Sequence, residues 1–236
     1  MSLNIILMGV QGAGKGEQAR IIQETYGIPQ VSTGDLFRAM KTRTDPLAQR
    51  IQQIMAQGKL IDDETTNTVV EERLAQPDAQ GGVLLDGYPR TPAQAAWLDQ
   101  HLASKGAKVN AVLLLELDLY TAFKRSFGRV SSGVSKRSYN IYFNADGIEW
   151  SFEDHPEGQY PPRLVARHGA TDEMLQRRAD DASAHAIIKR IDTYLETTQP
   201  LIDYYRARKL VTRIYADQPI EVVTMAIKHA IDAHRA

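Results

Sequence analysis

A glycine-rich segment near the amino terminus has the residue types and spacing that bind phosphate groups. The stretch Gly9-Val10-Gln11-Gly12-Ala13-Gly14-Lys15-Gly16 follows a short apolar run and precedes a helical pattern that begins near Glu17. Glycines let backbone N–H groups turn inward around an anion, and the positive end of the following helix points to the same place. Lys15 adds a full charge that can reach outer phosphates. A turn without a ligand is the alternative, but spacing, lysine and flanking elements together favour a phosphate-binding loop.

Composition restricts the class of protein to which the chain can belong. The 236 residues are 43% hydrophobic and carry a formal net charge of -1, which suits one α/β core and gives no indication of a nucleic-acid partner. The sequence contains no cysteine, so disulfides and a cysteine-ligated zinc site are excluded. The first apolar run is too short for a signal peptide or a membrane span. We therefore expect a cytoplasmic protein without a membrane partner, and we also expect a monomer.

Alternating strand and helix patterns predict a parallel sheet flanked by helices. The predicted strands cover residues 5–8, 29–32, 82–86, 111–117 and 211–215. Helical patterns follow the glycine-rich loop and also cover 46–56, 62–74, a long segment from about 178 to 208, and a last helix after Pro219. We expect Thr33 and Asp118 to cap the helices that they precede.

The segment from about Gly128 to Thr171 differs in character from the rest of the chain. It is rich in Gly, Ser, Asn, Asp, Pro and Tyr and has weak periodicity. A structureless loop of this length is unusual inside a domain, so we expect a small lobe or lid. His155, His168 and nearby acids suggest a metal site, but scattered histidines in a polar lobe are more often solvated.

Two further segments carry candidate binding residues. Thr33 precedes a predicted helix that carries Arg38 and follows the second strand, and a capped helix with a solvated Arg38 is the alternative. Asp86 ends a buried strand, where a carboxylate beside a phosphate loop can act indirectly on magnesium, and capping of the next turn is the alternative. The proline of the next turn fixes the backbone that carries Arg90, and Gln94 follows on the first turn of a helix.

These segments, in this order, resemble the adenylate kinases, a family of nucleoside monophosphate kinases. The resemblance covers nearly the whole chain. It implies the P-loop kinase fold, which is α/β with a five-stranded parallel sheet, an acceptor-binding helical insertion and a lid insertion. The implied boundaries are 33–74 for the acceptor insertion, 128–177 for the lid, and 1–32, 75–127 and 178–236 for the core. The implied reaction is reversible transfer of the γ-phosphoryl group of ATP to AMP, which gives two ADP, with Mg²⁺ on the ATP.

The resemblance also implies roles for individual residues. Those implied for ATP are Gly12, Ala13, Gly14, Lys15, Gly16, Glu17, Arg125, Arg129, Ser138, Tyr139 and Gln218. Those implied for AMP are Thr33, Arg38, Lys59, Leu60, Ile61, Gly87, Tyr88, Pro89, Arg90, Gln94, Arg178 and Arg190. Those implied for catalysis are Lys15, Arg90, Arg129, Arg178, Arg190 and Asp86, of which Asp86 acts on Mg²⁺ through water. No direct protein ligand to Mg²⁺ and no structural zinc are expected.

The sequence departs from the family pattern at several positions. Gln11 replaces a proline, Asn140 replaces a histidine, and Glu17 places a carboxylate where the family has a hydroxyl group. The segment before Arg190 is one residue longer than usual, and one extra residue rotates a helix position by ~100°. A bulge or a later helix start absorbs this change, or Lys189 takes the inward place.

Two other functions fit parts of the sequence. A UMP/CMP-type kinase is disfavoured because Thr33 and Gln94 resemble positions that recognise adenine. The other is a nucleotide-binding regulatory protein whose catalysis is weak because Glu17 repels the donor. The full set of arginines implied for phosphate binding disfavours it.

Overall fold

The chain divides into two units, each with its own hydrophobic cluster. The computed structural model describes residues 2–56, 61–135, 137–154, 158, 162–178, 181 and 183–235. The first unit, here called the sheet unit, comprises Met1–Gly9, Gly14–Glu116 and Glu196–Ala236. The second, here called the hairpin unit, comprises Val10–Ala13 and Leu117–Leu195.

A five-stranded parallel sheet forms the centre of the sheet unit, as the sequence predicted. In the order β2-β3-β1-β4-β9, the strands are β2 (Gln30–Ser32), β3 (Gly82–Asp86), β1 (Leu3–Gly9), β4 (Val109–Glu116) and β9 (Val211–Tyr215). All four adjacent pairs are parallel. The central strands are almost continuously aliphatic and buried, because helices cover both faces of a parallel sheet of this kind.

Side chains cap several helices of the sheet unit. The helices of this unit are α1 (Lys15–Tyr26), α2 (Thr33–Met40), α3 (Pro46–Ala56), α4 (Asp63–Leu74), α5 (Pro92–Ser104) and α8 (Ile220–Arg235), with a short 3₁₀ turn at Pro77–Ala79. The Asp62 carboxylate accepts a hydrogen bond from the backbone N–H of Thr65 at 2.7 Å, and Thr91 caps α5 in the same way.

The prediction that Thr33 caps α2 was wrong. Ser32 is the N-cap, and its hydroxyl accepts from the backbone N–H of Asp35 at 3.4 Å. Thr33 is the first helical residue, and its buried hydroxyl donates instead to the carbonyl oxygen of Gly87 at 2.8 Å. The tertiary partner fixes the Thr33 side chain, so the neighbouring serine is left to satisfy the helix terminus.

Helix α6 and two antiparallel hairpins make up much of the hairpin unit. Helix α6 (Leu119–Phe127) begins at Asp118, whose carboxylate accepts from the backbone N–H of Thr121 at 2.9 Å, as predicted. The hairpins pair β5 (Arg129–Ser131) with β6 (Ser138–Asn140), and β7 (Ile148–Glu153) with β8 (Arg163–His168). Their shared cluster contains Val130, Tyr139, Ile141, Leu164, Ala166 and Leu175.

Helix α7 (Ala184–Arg206) begins later than the sequence predicted. Its first turn follows Ser183, whose hydroxyl accepts from the backbone N–H of Ala186 at 3.1 Å, the usual N-cap arrangement.

Among the described residues, no helix combines the length and the apolar character that crossing a membrane would need.

The approach of β3 to β1 leaves no room for a side chain at Gly82. Its φ is +120°, and a Cβ at this position would lie 2.1 Å from the carbonyl oxygen of Leu3. We expect Gly82→Ala to lower the free energy of unfolding by about 3 kcal/mol or more, because both the backbone conformation and the strand pairing would have to change.

Gly81→Ala is the matched control for this prediction. A Cβ at Gly81 meets no atom within 4 Å, so the free energy of unfolding should change by less than about 1 kcal/mol. Chemical denaturation of both variants measures the difference. Similar losses in the two variants would show that the contact with Leu3 is not the cause.

Candidate active site

The carboxyl ends of β1 and β3 place a lysine and a carboxylate at one edge of the sheet. Leu7 of β1 is paired with Asp86, the last residue of β3. Lys15 is the first residue of α1, and its Nζ donates to the carbonyl oxygen of Gly9 at 2.6 Å. Open parallel α/β sheets bind ligands at this edge. The structure therefore brings Lys15 and Asp86 together where the sequence placed a phosphate site.

The backbone of the glycine-rich loop has the conformation that its glycines permit. Gly12 and Gly14 have φ of 86° and 84°, in the left-handed region. A Cβ at Gly12 would lie 2.8 Å from the carbonyl oxygen of Ala122. Gly14 is the N-cap of α1 and has no side chain with which to cap it. The first N–H groups of α1 are therefore suited to an anion.

The Asp86 carboxylate is partly buried among charged and polar neighbours. Burial raises its pKa above the usual value, while the charge of Lys15 and a hydrogen bond from Gln30 act in the opposite direction. The Gln30 amide donates to Asp86 Oδ2 at 3.0 Å. The carboxylate is thus held by Gln30 and lies beside a lysine at the carboxyl edge of the sheet.

The turn after Asp86 is anchored by two donors on one carbonyl group. The Gly87 oxygen accepts from the Thr33 hydroxyl at 2.8 Å and from Nε of Arg90 at 2.9 Å. The Tyr88–Pro89 peptide bond is cis, and the Tyr88 side chain is buried with its hydroxyl donating to Asn67 at 2.6 Å. The guanidinium of Arg90 is therefore fixed near the end of β3.

In the hairpin unit, a fully buried carboxylate holds two arginines. Asp181 Oδ2 accepts from Arg129 Nε at 2.9 Å, and Oδ1 accepts from Arg190 Nη1 at 2.8 Å. Lys189 is exposed, whereas Arg190 is partly buried against Asp181, and the assignment of one of them to the phosphates stays a prediction. Asp181 was not predicted as their partner, although the Asp180-Asp181 pair after Arg178 was a usable signal.

Comparison with known proteins agrees with this arrangement. The family model described as adenylate kinase matches residues 7–210. An adenylate kinase from Symbiobacterium thermophilum is 37% identical over 233 residues, which cover 99% of this chain and 100% of that protein. One from Moorella thermoacetica is 38% identical over 229 residues, which cover 97% of this chain and 98% of that protein.

The chain belongs to the adenylate kinase family. One more relative, an adenylate kinase from Streptomyces avermitilis, is 38% identical over 236 residues, which cover 98% of this chain and 96% of that protein. The five-stranded parallel sheet with flanking helices is consistent with the P-loop kinase fold of the family, as the sequence predicted.

The residues at three positions that depart from the adenylate kinase pattern form hydrogen bonds or ion pairs inside their own unit. Glu17 accepts from Arg20 at 2.6 Å on the exposed side of α1, so its carboxylate pairs with a cation of its own helix. The Asn140 amide donates to the carbonyl oxygen of Arg125 at 2.8 Å. The Gln11 amide donates to the carbonyl oxygen of Ile187 at 3.0 Å.

The residues that the adenylate kinase resemblance implied for ATP and phosphate binding differ in their exposure and contacts. Tyr139 is buried in the hairpin cluster, so its side chain is a core group, whereas Ser138 is exposed. Arg125 lies 5.5 Å from the ring centroid of Phe143. Gln218 is exposed after β9, and Arg178 is exposed as well.

The acceptor residues of the adenylate kinase pattern are only partly described. Arg38 is exposed and paired with Asp35. Ile61 packs against the cluster of Met40, Ala48, Ile51 and Val69. Lys59 and Leu60 lie outside the described residues, as does His155. Within the described part of the chain, no group of three or more His, Asp or Glu side chains could hold a metal ion.

The raised pKa of Asp86 predicts that this carboxylate lowers the stability of the folded chain. The folded pKa exceeds the unfolded pKa, so the destabilisation is absent below about pH 4 and grows as pH rises through the folded pKa. We therefore expect Asp86→Asn to raise the midpoint of thermal unfolding at pH 7, and the gain to vanish below about pH 4.

Asp78→Asn is a control that should shift the midpoint of thermal unfolding in the opposite direction. Arg73 pairs with this exposed carboxylate at 2.7 Å and lowers its pKa. The variant should lower the midpoint at pH 7. A midpoint that falls or stays unchanged in Asp86→Asn at pH 7 would contradict the assigned effect of burial.

Proposed function

We propose that this chain catalyses reversible transfer of the γ-phosphoryl group of ATP to AMP, giving two ADP, with the roles of its residues as follows. The observation that carries the proposal is the position of Lys15 on the glycine-rich loop beside Asp86, next to an anchored Arg90. Membership of the adenylate kinase family supports the same reaction.

Positive charge is the main requirement of this reaction. Phosphoryl transfer needs in-line positioning and compensation of the charge on the phosphate oxygens. We assign Lys15 and the N–H groups that open α1 to the donor phosphates. In the sheet unit, we assign Arg90 to the transferred phosphoryl group. In the hairpin unit, we assign Arg129 and Arg190, which share Asp181, to nucleotide phosphates.

The chain has to provide neither a nucleophile nor a general base, because the phosphate of AMP is already anionic. The AMP segment comprises Thr33, Arg38, Ile61, the turn 87–90 and Gln94. Because the hydroxyl groups of Thr33 and Tyr88 already donate to Gly87 and Asn67, we assign their segments to AMP through backbone groups. Arg178 remains assigned to phosphate on the family pattern.

The residues around Asp86 fit Mg²⁺ held through water. Gly16 has no hydroxyl at the position where many phosphate loops supply a metal ligand, and Mg²⁺ keeps several waters in such sites. Asp86 would orient those waters, which its buried and partly compensated charge suits. The ion supplies charge neutralisation between the donor phosphates when it is bound.

The remaining assignments follow the family pattern. Residues 128–177 would form the lid and residues 33–74 the acceptor insertion, and the donor base would lie by Arg125 and Gln218. Cytoplasmic location and a monomeric state stay predictions.

Steady-state turnover with ATP and a panel of AMP, UMP and CMP tests the proposed function. We expect AMP to be the preferred acceptor, and preference for a pyrimidine would overturn the proposal. Lys15→Ala should reduce turnover by at least about 100-fold, since it removes a charge from the transition state without opening a core cavity. Near wild-type turnover in folded Lys15→Ala would contradict its assigned role.

A pair of adjacent variants tests the choice between Arg190 and Lys189. Arg190→Ala should lower kcat/KM about 100-fold, because the group that pairs with Asp181 is lost from the phosphate site. Asp181 keeps Arg129 as a partner, so the fold should survive. Lys189→Ala removes an exposed charge and should leave kcat/KM within about two-fold. The reverse order of effects would assign the phosphate contact to Lys189.

A further inference from the structure

The side-chain amide of Gln94 is held in one orientation by two partners of opposite hydrogen-bonding character. Its oxygen accepts from the backbone N–H of Arg90 at 2.7 Å, and its nitrogen donates to Asp63 Oδ1 at 2.7 Å. A backbone N–H can only donate and an ionised carboxylate can only accept. An amide turned by 180° would therefore meet both partners with the wrong atom, so the two contacts together determine its orientation.

The same amide has unused hydrogen-bonding capacity although it is buried. Gln94 is 4% exposed. The contacts with Arg90 and Asp63 use one of its two N–H groups and one of its two oxygen lone pairs. Within the described residues, the other N–H and the other lone pair have no partner. A buried amide in this state favours a ligand that offers one acceptor and one donor.

Asp63 is itself fixed by contacts on both sides. Its second carboxylate oxygen accepts from the hydroxyl of Thr91 at 2.8 Å, and Thr91 caps the helix that carries Gln94. Asp63 is also the first residue of α4, where a negative charge is favourable. The carboxylate thus links the beginnings of α4 and α5 and cannot rotate away from the amide without losing the Thr91 contact.

We propose that Asp63 is a positioning residue that makes the acceptor site select a 6-aminopurine over a 6-oxopurine. This inference rests on the proposed function, in which Gln94 contacts the acceptor base. A 6-aminopurine presents an acceptor at N1 and a donor at its amino group, which match the free N–H and the free lone pair of the fixed amide. A 6-oxopurine presents a donor at N1 and an acceptor at O6, which match only the reversed amide. Asp63 opposes that reversal.

Asp63→Asn tests this role with little change in shape. An asparagine amide can donate as well as accept, so one of the two constraints on Gln94 is removed while the Arg90 N–H remains. We expect the ratio of kcat/KM for AMP to kcat/KM for IMP to fall about ten-fold, with KM for ATP unchanged. If Asp63 had only a structural role, Asp63→Asn would lower kcat/KM equally for both acceptors and leave this ratio at its wild-type value.

Two matched variants complete the test. Glu64→Gln removes a charge from the same turn of α4 at an exposed position, and it should leave the ratio unchanged. Asp63→Glu keeps a group that only accepts, so it should retain most of the preference for AMP, and it also serves if Asp63→Asn does not fold. Loss of the preference in Asp63→Glu or in Glu64→Gln would overturn the inference, as would a wild-type ratio in Asp63→Asn.

The wild-type protein separates this inference from the proposed function. If it does not turn over ATP with AMP, the proposed function fails before any variant is compared. If it does turn over, the variants alone decide the role of Asp63.

Discussion

The parallel pairing of β1 with β3 is the constraint on which the candidate site of the sheet unit depends. Because parallel strands end at the same edge, the glycine-rich loop after β1 and the turn after Asp86 emerge side by side. The pairing requires the close approach of Gly82 to Leu3. A single glycine therefore contributes to the register that places Lys15 beside the carboxylate.

Carboxylates lie beside cationic side chains in both units. Asp86 lies beside Lys15 in the sheet unit, and Asp181 pairs with Arg129 and Arg190 in the hairpin unit. Groups that must compensate phosphate charge repel one another when no ligand is present, and a carboxylate offsets that repulsion. It also restricts the rotamers of long side chains, so less ordering remains to be done when a nucleotide binds.

The role proposed for Gln94 at the start of α5 depends on the neighbours that orient its side chain. An amide can present either end to a ligand, and its neighbours determine which end that is. Here the neighbours come from two parts of the chain: the backbone of Arg90 precedes Gln94 closely, whereas Asp63 lies 31 residues away. The proposed recognition at Gln94 thus depends on the packing of α4 against α5 as well as on Gln94 itself.

The sequence alone determined the features that depend on neighbouring residues. The glycine-rich loop, the aliphatic strands and the cap at Asp118 follow from local rules of backbone conformation, burial and helix termini, and the strand 82–86 and the helix 46–56 were predicted with their observed bounds. Only the tertiary structure decided which side chains meet across the chain. Thr33 bonds to Gly87 and leaves the cap to Ser32, and α7 starts late enough to turn Arg190 toward Asp181. These choices depend on distances between segments that are far apart in sequence, and no local pattern contains those distances.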